Sequence, residues 1–334
     1  FFFKLKTAYE IPLRLVGSEM CIRDRSKMTK TATQYSAKAE VSNLYVRRSF
    51  YEKAIINLKK APITAWIGMI IVTFYFFVAI FAPFLAPYGE AQIFKVPYAP
   101  WDSVHIFGTD RLGRDIFSRL VYGARNTMGI ALITTFLAFL IGVGLGLLSA
   151  ILSGWVDQIL ARFVDILMAI PSLIFALMLL SIFGSTALNL ILIIAVLDST
   201  RVFRLSRAVG MNIVVMEYVE AAKLRGEKIG WIMSKEILPN ILPPLVAEFG
   251  LRFCYVFLMI ASLSFLGVGI QPPTADWGSM VRETAELIQF AAYDITAALT
   301  PILPAAAIGI LTIGVNFVVD WFLYLTSGLK DEIK

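Results

Sequence analysis

Met128-Gly129-Ile130-Ala131-Leu132-Ile133-Thr134-Thr135-Phe136-Leu137-Ala138-Phe139-Leu140-Ile141-Gly142-Val143-Gly144-Leu145-Gly146-Leu147-Leu148-Ser149-Ala150-Ile151-Leu152 holds 25 residues without one charge. A bilayer core takes roughly 20 apolar helical residues per crossing, so this run is long enough to span. Gly142, Gly144 and Gly146 lie in its second half, where small residues let helix backbones approach closely.

Comparable blocks recur on either side. One runs from about Ile63 to Ala86, ended by Pro83 and Pro87. The others run from about Ile159 to Phe183 with a kink expected at Pro171, Leu188 to Val202, Ile241 to Ile270, and Ala298 to Leu325 with Pro301 and Pro304 near its start. The expected fold is therefore all-α: a polytopic membrane protein with six transmembrane helices. Composition agrees, since 58% of the 334 residues are hydrophobic, only 16% are charged, and mean hydropathy is +0.75. Soluble domains run nearer half apolar and a quarter charged.

The net charge of +6 does not indicate nucleic acid, because the basic residues lie between apolar blocks as topology signals do. Lys38, Arg47, Arg48, Lys53, Lys59 and Lys60 precede the first block. Arg201, Arg204, Arg207, Lys223, Arg225, Lys228 and Lys235 separate the fourth from the fifth, and Lys330 and Lys334 follow the last. The opposite side keeps Lys95, Arg111, Arg114, Arg119, Arg125 and Arg282, so the bias puts both termini in the cytoplasm of a bacterial inner membrane. Cys21 and Cys254 are too far apart in sequence to suggest a disulfide framework, and His105 is the single histidine. No cofactor and no metal site is expected.

The stretch Leu15-Val16-Gly17-Ser18-Glu19-Met20-Cys21-Ile22-Arg23-Asp24-Arg25 resembles translated sequencing-adapter read-through. Residues 1–27 are therefore read as a non-native or disordered leader, with Met28 the expected start.

Between the fourth and fifth blocks the chain reads Glu217-Tyr218-Val219-Glu220-Ala221-Ala222-Lys223-Leu224-Arg225-Gly226 and runs on to Ile237-Leu238-Pro239-Asn240. Glu220 to Arg225 favours helix, and Gly226 ends it as a left-handed C-terminal residue would. Ile229 to Ile237 forms a second amphipathic stretch that closes at Pro239. On physics alone the pair is either a docking knob for another protein or an interfacial pair resting on headgroups.

Glu-Ala-Ala, three residues, Gly, and a closing Ile-Leu-Pro resembles the signature loop of permease subunits in ATP-binding-cassette importers. Two further stretches resemble the second, C-type permease of dipeptide, oligopeptide and nickel importers. One is Phe107-Gly108-Thr109-Asp110 with Gly113-Arg114-Asp115, Ser118-Arg119 and Gly123-Ala124-Arg125. The other is Leu263-Ser264-Phe265-Leu266-Gly267 with Gln271-Pro272-Pro273 and Asp276-Trp277-Gly278. The resemblance covers about residues 60 to 327. It implies a type I importer permease fold and makes Glu220, Ala221, Ala222, Gly226, Ile237, Leu238 and Pro239 the residues that couple to the ATPase.

It implies as partners a second homologous permease subunit, two ATP-binding ATPase subunits, a periplasmic or lipoprotein substrate-binding protein and the lipid bilayer. The expected organisation is a cytoplasmic tail at 28–60, a first transmembrane helix in 61–90 and a periplasmic segment at 91–126. A five-helix core at 127–327 follows, with the coupling loop at 203–239, then a cytoplasmic tail at 328–334. Two departures from the family pattern stand out. Ile260 occupies a position where many relatives carry glutamate, and the ending Trp321-Phe322-Leu323-Tyr324-Leu325 differs from the usual one.

Asp110, Arg114, Asp115 and Arg119 alternate in sign at near-helical spacing, which suits a solvated outer helix. Trp101 and Trp277 read as interfacial anchors. Glu248 and Arg252, four apart, either face the translocation path or form a structural pair. No GxxxxGK[ST] phosphate loop is present, so ATP hydrolysis is assigned to partners. The sequence reads as half of a peptide-import pore. Nickel chelates, glutathione and opines are the alternative cargoes, and an ion-coupled secondary transporter is the rival of another class.

Overall fold

The structure, a computed structural model, describes Leu58 and residues 61–326. The expectations for the leader, the N-terminal tail and the C-terminal tail lie outside those residues. The described residues form helices, with two isolated β-bridges (Ile93 with Arg114, Thr109 with Asp115) in the segment that follows the first helix.

Helix α1 (Ile63–Ile80) starts after Pro62 and breaks at Phe81, two residues before Pro83. Helix α2 (Ile116–Leu152) begins twelve residues before the expected span. The cause is Asp115, whose carboxylate accepts from Ser118 N at 2.8 Å and Ser118 Oγ at 2.7 Å and so caps the helix. At 37 residues α2 is about 55 Å long, so it projects beyond a bilayer core.

The third block is not one kinked helix. Helices α3 (Gly154–Ala169) and α4 (Ser172–Phe183) meet at 88°. Pro171 disfavours helical backbone at the residue before it, and Ile170 is accordingly extended at φ −93°, ψ 131°. Helix α5 (Ala187–Val214) runs twelve residues past the expected end of its block, into the region assigned to the loop at 203–239. Helix α6 (Glu217–Leu224) follows, and then a continuous helical stretch from Ile229, through a π-turn at Ile232–Ile237, into α7 (Leu238–Phe265). Helices α8 (Trp277–Thr284) and α9 (Ile302–Thr326) follow, with short helical turns at Ala285–Phe290 and Ile295–Leu299 between them.

Among the described residues four helical stretches are long and apolar enough to cross a membrane: those containing α1, α2, α7 and α9. The bent pair α3–α4 supplies a fifth if it counts as one span. The expected count was six. The missing one is α5, whose Asp198, Arg201, Arg204 and Arg207 dilute its apolar character.

Helix α5 packs along α2, where two of the three glycines make the approach possible. A Cβ at Gly142 would lie 2.7 Å from Ser199 O, and one at Gly146 2.8 Å from Phe203 O. Gly144 faces open space instead. Helix α1 crosses α9 through Gly68 and Gly314. Two apolar cores result. The larger is built around Phe253, Phe257, Ile260, Leu263 and Trp277, and the smaller joins Leu147, Val219, Ala222, Ile232, Ile237 and Ile241.

Candidate functional site

Helix α6 sits on the smaller core by one face. Val219 and Ala222 are fully buried, while Glu217, Glu220, Ala221 and Leu224, at helical spacing, form an exposed face. Its end is a complete Schellman closure: Glu227 N donates to Ala222 O at 3.2 Å and Gly226 N to Lys223 O at 3.0 Å. Gly226 takes φ +78°, as the sequence predicted, with open space where a Cβ would be. Arg225 reaches back to Glu236 at 3.7 Å, and Ile237 is fully buried. Asn240 Nδ2 donates to Glu236 O at 2.6 Å beside Pro239, whose missing N–H leaves the local helix ladder incomplete.

The expected coupling residues are thus gathered into one unit but divide in two. Glu220, Ala221, Gly226 and Pro239 are exposed. Ala222 and Ile237 are buried against the protein's own core, and Leu238 is half-buried beside it.

Glu248 and Arg252 do approach, with Nε and Oε1 2.7 Å apart, though off-line for a hydrogen bond. The structure adds Asp198 from α5, 3.6 Å from Arg252 Nη1. Arg252 also lies 4.6 Å from the centre of the Tyr255 ring, with Arg201 at 5.8 Å from the same ring. Asp198 was missed because it stands alone in its block. An acidic residue three positions before an arginine in an otherwise apolar helix was the available signal.

The 86–115 segment is no solvated helix. Asp110, Arg114, Asp115 and Arg119 are all nearly inaccessible. Arg114 Nε pairs with Asp110 at 2.6 Å, and both arginines reach Glu283 in the last turn of α8, at 2.7 Å from Arg114 and 3.3 Å from Arg119. His105 Nδ1 lies 2.9 Å from the capping Asp115. Trp277 is also buried, and its Nε1 donates to Leu120 O at 2.9 Å, so it anchors helices to each other rather than to headgroups. Beside it, Asp276 caps α8 through Ser279 N and accepts from Thr127 Oγ1, both at 2.9 Å. Burial pushes the Asp276 carboxyl up, against the pull of those hydrogen bonds.

Residues 142–327, which hold the α6 unit and the intramembrane charges, match the family described as binding-protein-dependent transport system inner membrane component. The chain belongs to this family. Residues 49–100 match the N-terminal transmembrane domain of oligopeptide transport permease C. The permease is 34% identical to the dipeptide transport system permease protein DppC of Alkalihalophilus pseudofirmus, over 86% of this chain and 91% of that one. It is 36% identical to the probable D,D-dipeptide transport system permease protein DdpC of Escherichia coli, over 69% and 77%. Against the glutathione transport system permease protein GsiD of Pectobacterium atrosepticum the figures are 31%, 77% and 81%.

The permease is therefore an integral inner-membrane transport component of the ATP-binding-cassette class, a family in which the ATPase lies on separate subunits. The ion-coupled alternative is set aside by that membership.

Proposed function

We propose that this permease forms half of the translocation pore of a peptide importer and couples to ATPase subunits through the α6 unit. A second homologous permease completes the pore, two ATPases drive it, and an external binding protein delivers the cargo. Helix α5 is the sixth crossing, with Asp198 covered by protein and Arg204 and Arg207 paired to carboxylates of α3. Both termini and the α6 unit lie on the cytoplasmic side, in keeping with the excess of Lys and Arg there.

The observation that carries the reading is the rigid α6 unit. Buried Val219, Ala222 and Ile237 seat it, the closure at Gly226 sets its end, and Glu217, Glu220, Ala221 and Leu224 are left facing outward. Movement of a partner that grips this face passes directly into α5 and α7, which flank it. Such a face supplies the differential contact that two alternating states require.

The test uses the assembled transporter. Ala221→Cys should cross-link to a cysteine in the cleft of the ATPase subunit, and Glu220→Arg or Gly226→Pro should insert normally yet lose ATP-driven peptide uptake. Normal uptake by both variants would remove the coupling assignment. The kinship with the glutathione permease favours glutathione as the second cargo reading, decided by what the cognate binding protein captures.

A further inference from the structure

Arg201 is the one arginine in the α5 series that makes no close ion pair among the described residues; Asp198, three positions earlier, feels its charge without pairing. Arg204 pairs with Asp165 at 2.6 Å and Arg207 with Asp157 at 2.6 Å, both on α3. Arg201 is exposed and has only the Tyr255 ring beneath it, and Tyr255 is itself half exposed.

The neighbouring contacts fix the depth of this pair. Gly250 lies against Val319 of α9, the helix that crosses α1 at Gly314 and Gly68. Phe257 meets the Trp277 ring, which in turn meets Tyr75 of α1. Tyr255 therefore stands between the levels of Gly68 and Tyr75 on an 18-residue apolar helix. That helix is about 27 Å long and matches a hydrocarbon core of roughly 30 Å.

A guanidinium exposed at that depth is costly against lipid, so it faces water or protein. Behind it, Asp198 Oδ2 and Arg252 Nη1 are buried without a hydrogen-bond partner, which leaves the cluster short of ligands. The charges of Asp198, Glu248, Arg201 and Arg252 sum to zero, so a passing anion meets the free cation without a net acidic field.

We propose that Arg201, laid over Tyr255, lines the water-accessible path and receives the carboxylate of the passing peptide. The inference rests on the peptide-import reading. A guanidinium supplies two parallel donors to a carboxylate, which a lysine ammonium cannot reproduce.

The experiment places Arg201→Cys, and separately Tyr255→Cys, in a Cys21→Ser, Cys254→Ser background of the full chain assembled with its partner subunits. Each is treated with a membrane-impermeant anionic thiosulfonate. Both cysteines should be modified in at least one nucleotide state, and a saturating imported dipeptide should slow the reaction at 201. Absence of modification at both positions in every state overturns the proposal. In the unmodified background Arg201→Gln should cut dipeptide uptake about tenfold, the loss expected for one charge-assisted hydrogen bond, with partial recovery in Arg201→Lys. Uptake by Arg201→Gln equal to the parent also overturns it. A parent complex that assembles but carries no peptide sinks the peptide reading instead, so the two failures are distinguishable.

Discussion

Arg114 Nη2 lies 2.7 Å from Glu283 Oε2, a contact between residues 169 positions apart that joins the segment ahead of α2 to the end of α8. Arg119 Nη2 reaches the same oxygen at 3.3 Å. Two buried guanidinium groups thus balance on Asp110 and Glu283 together.

Glu283→Gln leaves those two cations with Asp110 as their remaining acidic partner. Breaking a buried pair by removing one member costs about 3–5 kcal/mol. The thermal midpoint of the detergent-purified permease should fall by several degrees. A midpoint equal to the parent would show that the network does not hold the outer segment.

Neighbouring alanines of α6 should behave in opposite ways. Ala222 is fully buried, so Ala222→Leu overpacks the smaller core at a cost of about 1–3 kcal/mol and should unseat the unit. Ala221 is exposed, so Ala221→Leu should leave the melting temperature unchanged while weakening association with the ATPase subunits. Melting curves and co-purification of the ATPase read the two effects separately. Equal destabilisation by both variants would contradict the burial pattern.

Gly142 and Gly144 make a similar contrast. A leucine at 142 meets Ser199 O and Val202 across the α2–α5 contact, and the helices must part to admit it. Gly144→Leu projects into open space and should be tolerated. Yield and monodispersity of the two variants on size exclusion distinguish them.

A pH effect is expected at Tyr98. Burial, followed by its hydrogen bond to Glu286, pushes the Tyr98 phenol up to about 12 from 10.0. The folded state therefore holds this proton more tightly. The contribution is fully present below pH 10.0 and disappears as pH rises through about 12. Between those limits Tyr98→Phe should lose less stability than the parent, measured by alkaline unfolding. Parallel curves would remove the assignment.

Four of the six expected crossings were legible because burial in hydrocarbon is a property of long runs, visible without knowing any neighbour, whereas the 159–183 block is a bent pair and α5 falls short. The turn at Gly226 was legible for a local reason, since a left-handed residue after a helix selects glycine. The charges of Asp110, Arg114, Asp115 and Arg119 were misread. Their spacing describes which face they share but not what covers that face, and Glu283 is too distant in sequence to be seen. Trp277 was misread in the same way, because only the folded chain brings Leu120 O to its indole nitrogen.

From sequence alone came the membrane class, the family resemblance and the helix that closes at Gly226, since each depends on composition or on residues within a few turns of one another. The second stretch, expected to close at Pro239, instead continues into α7. Tertiary structure alone decided which of the coupling alanines faces outward, which glycines carry the helix crossing, and that Asp198 joins Glu248 and Arg252. Those outcomes depend on pairs of elements brought together by packing, and a one-dimensional pattern records a residue's chemistry but not its opposite number.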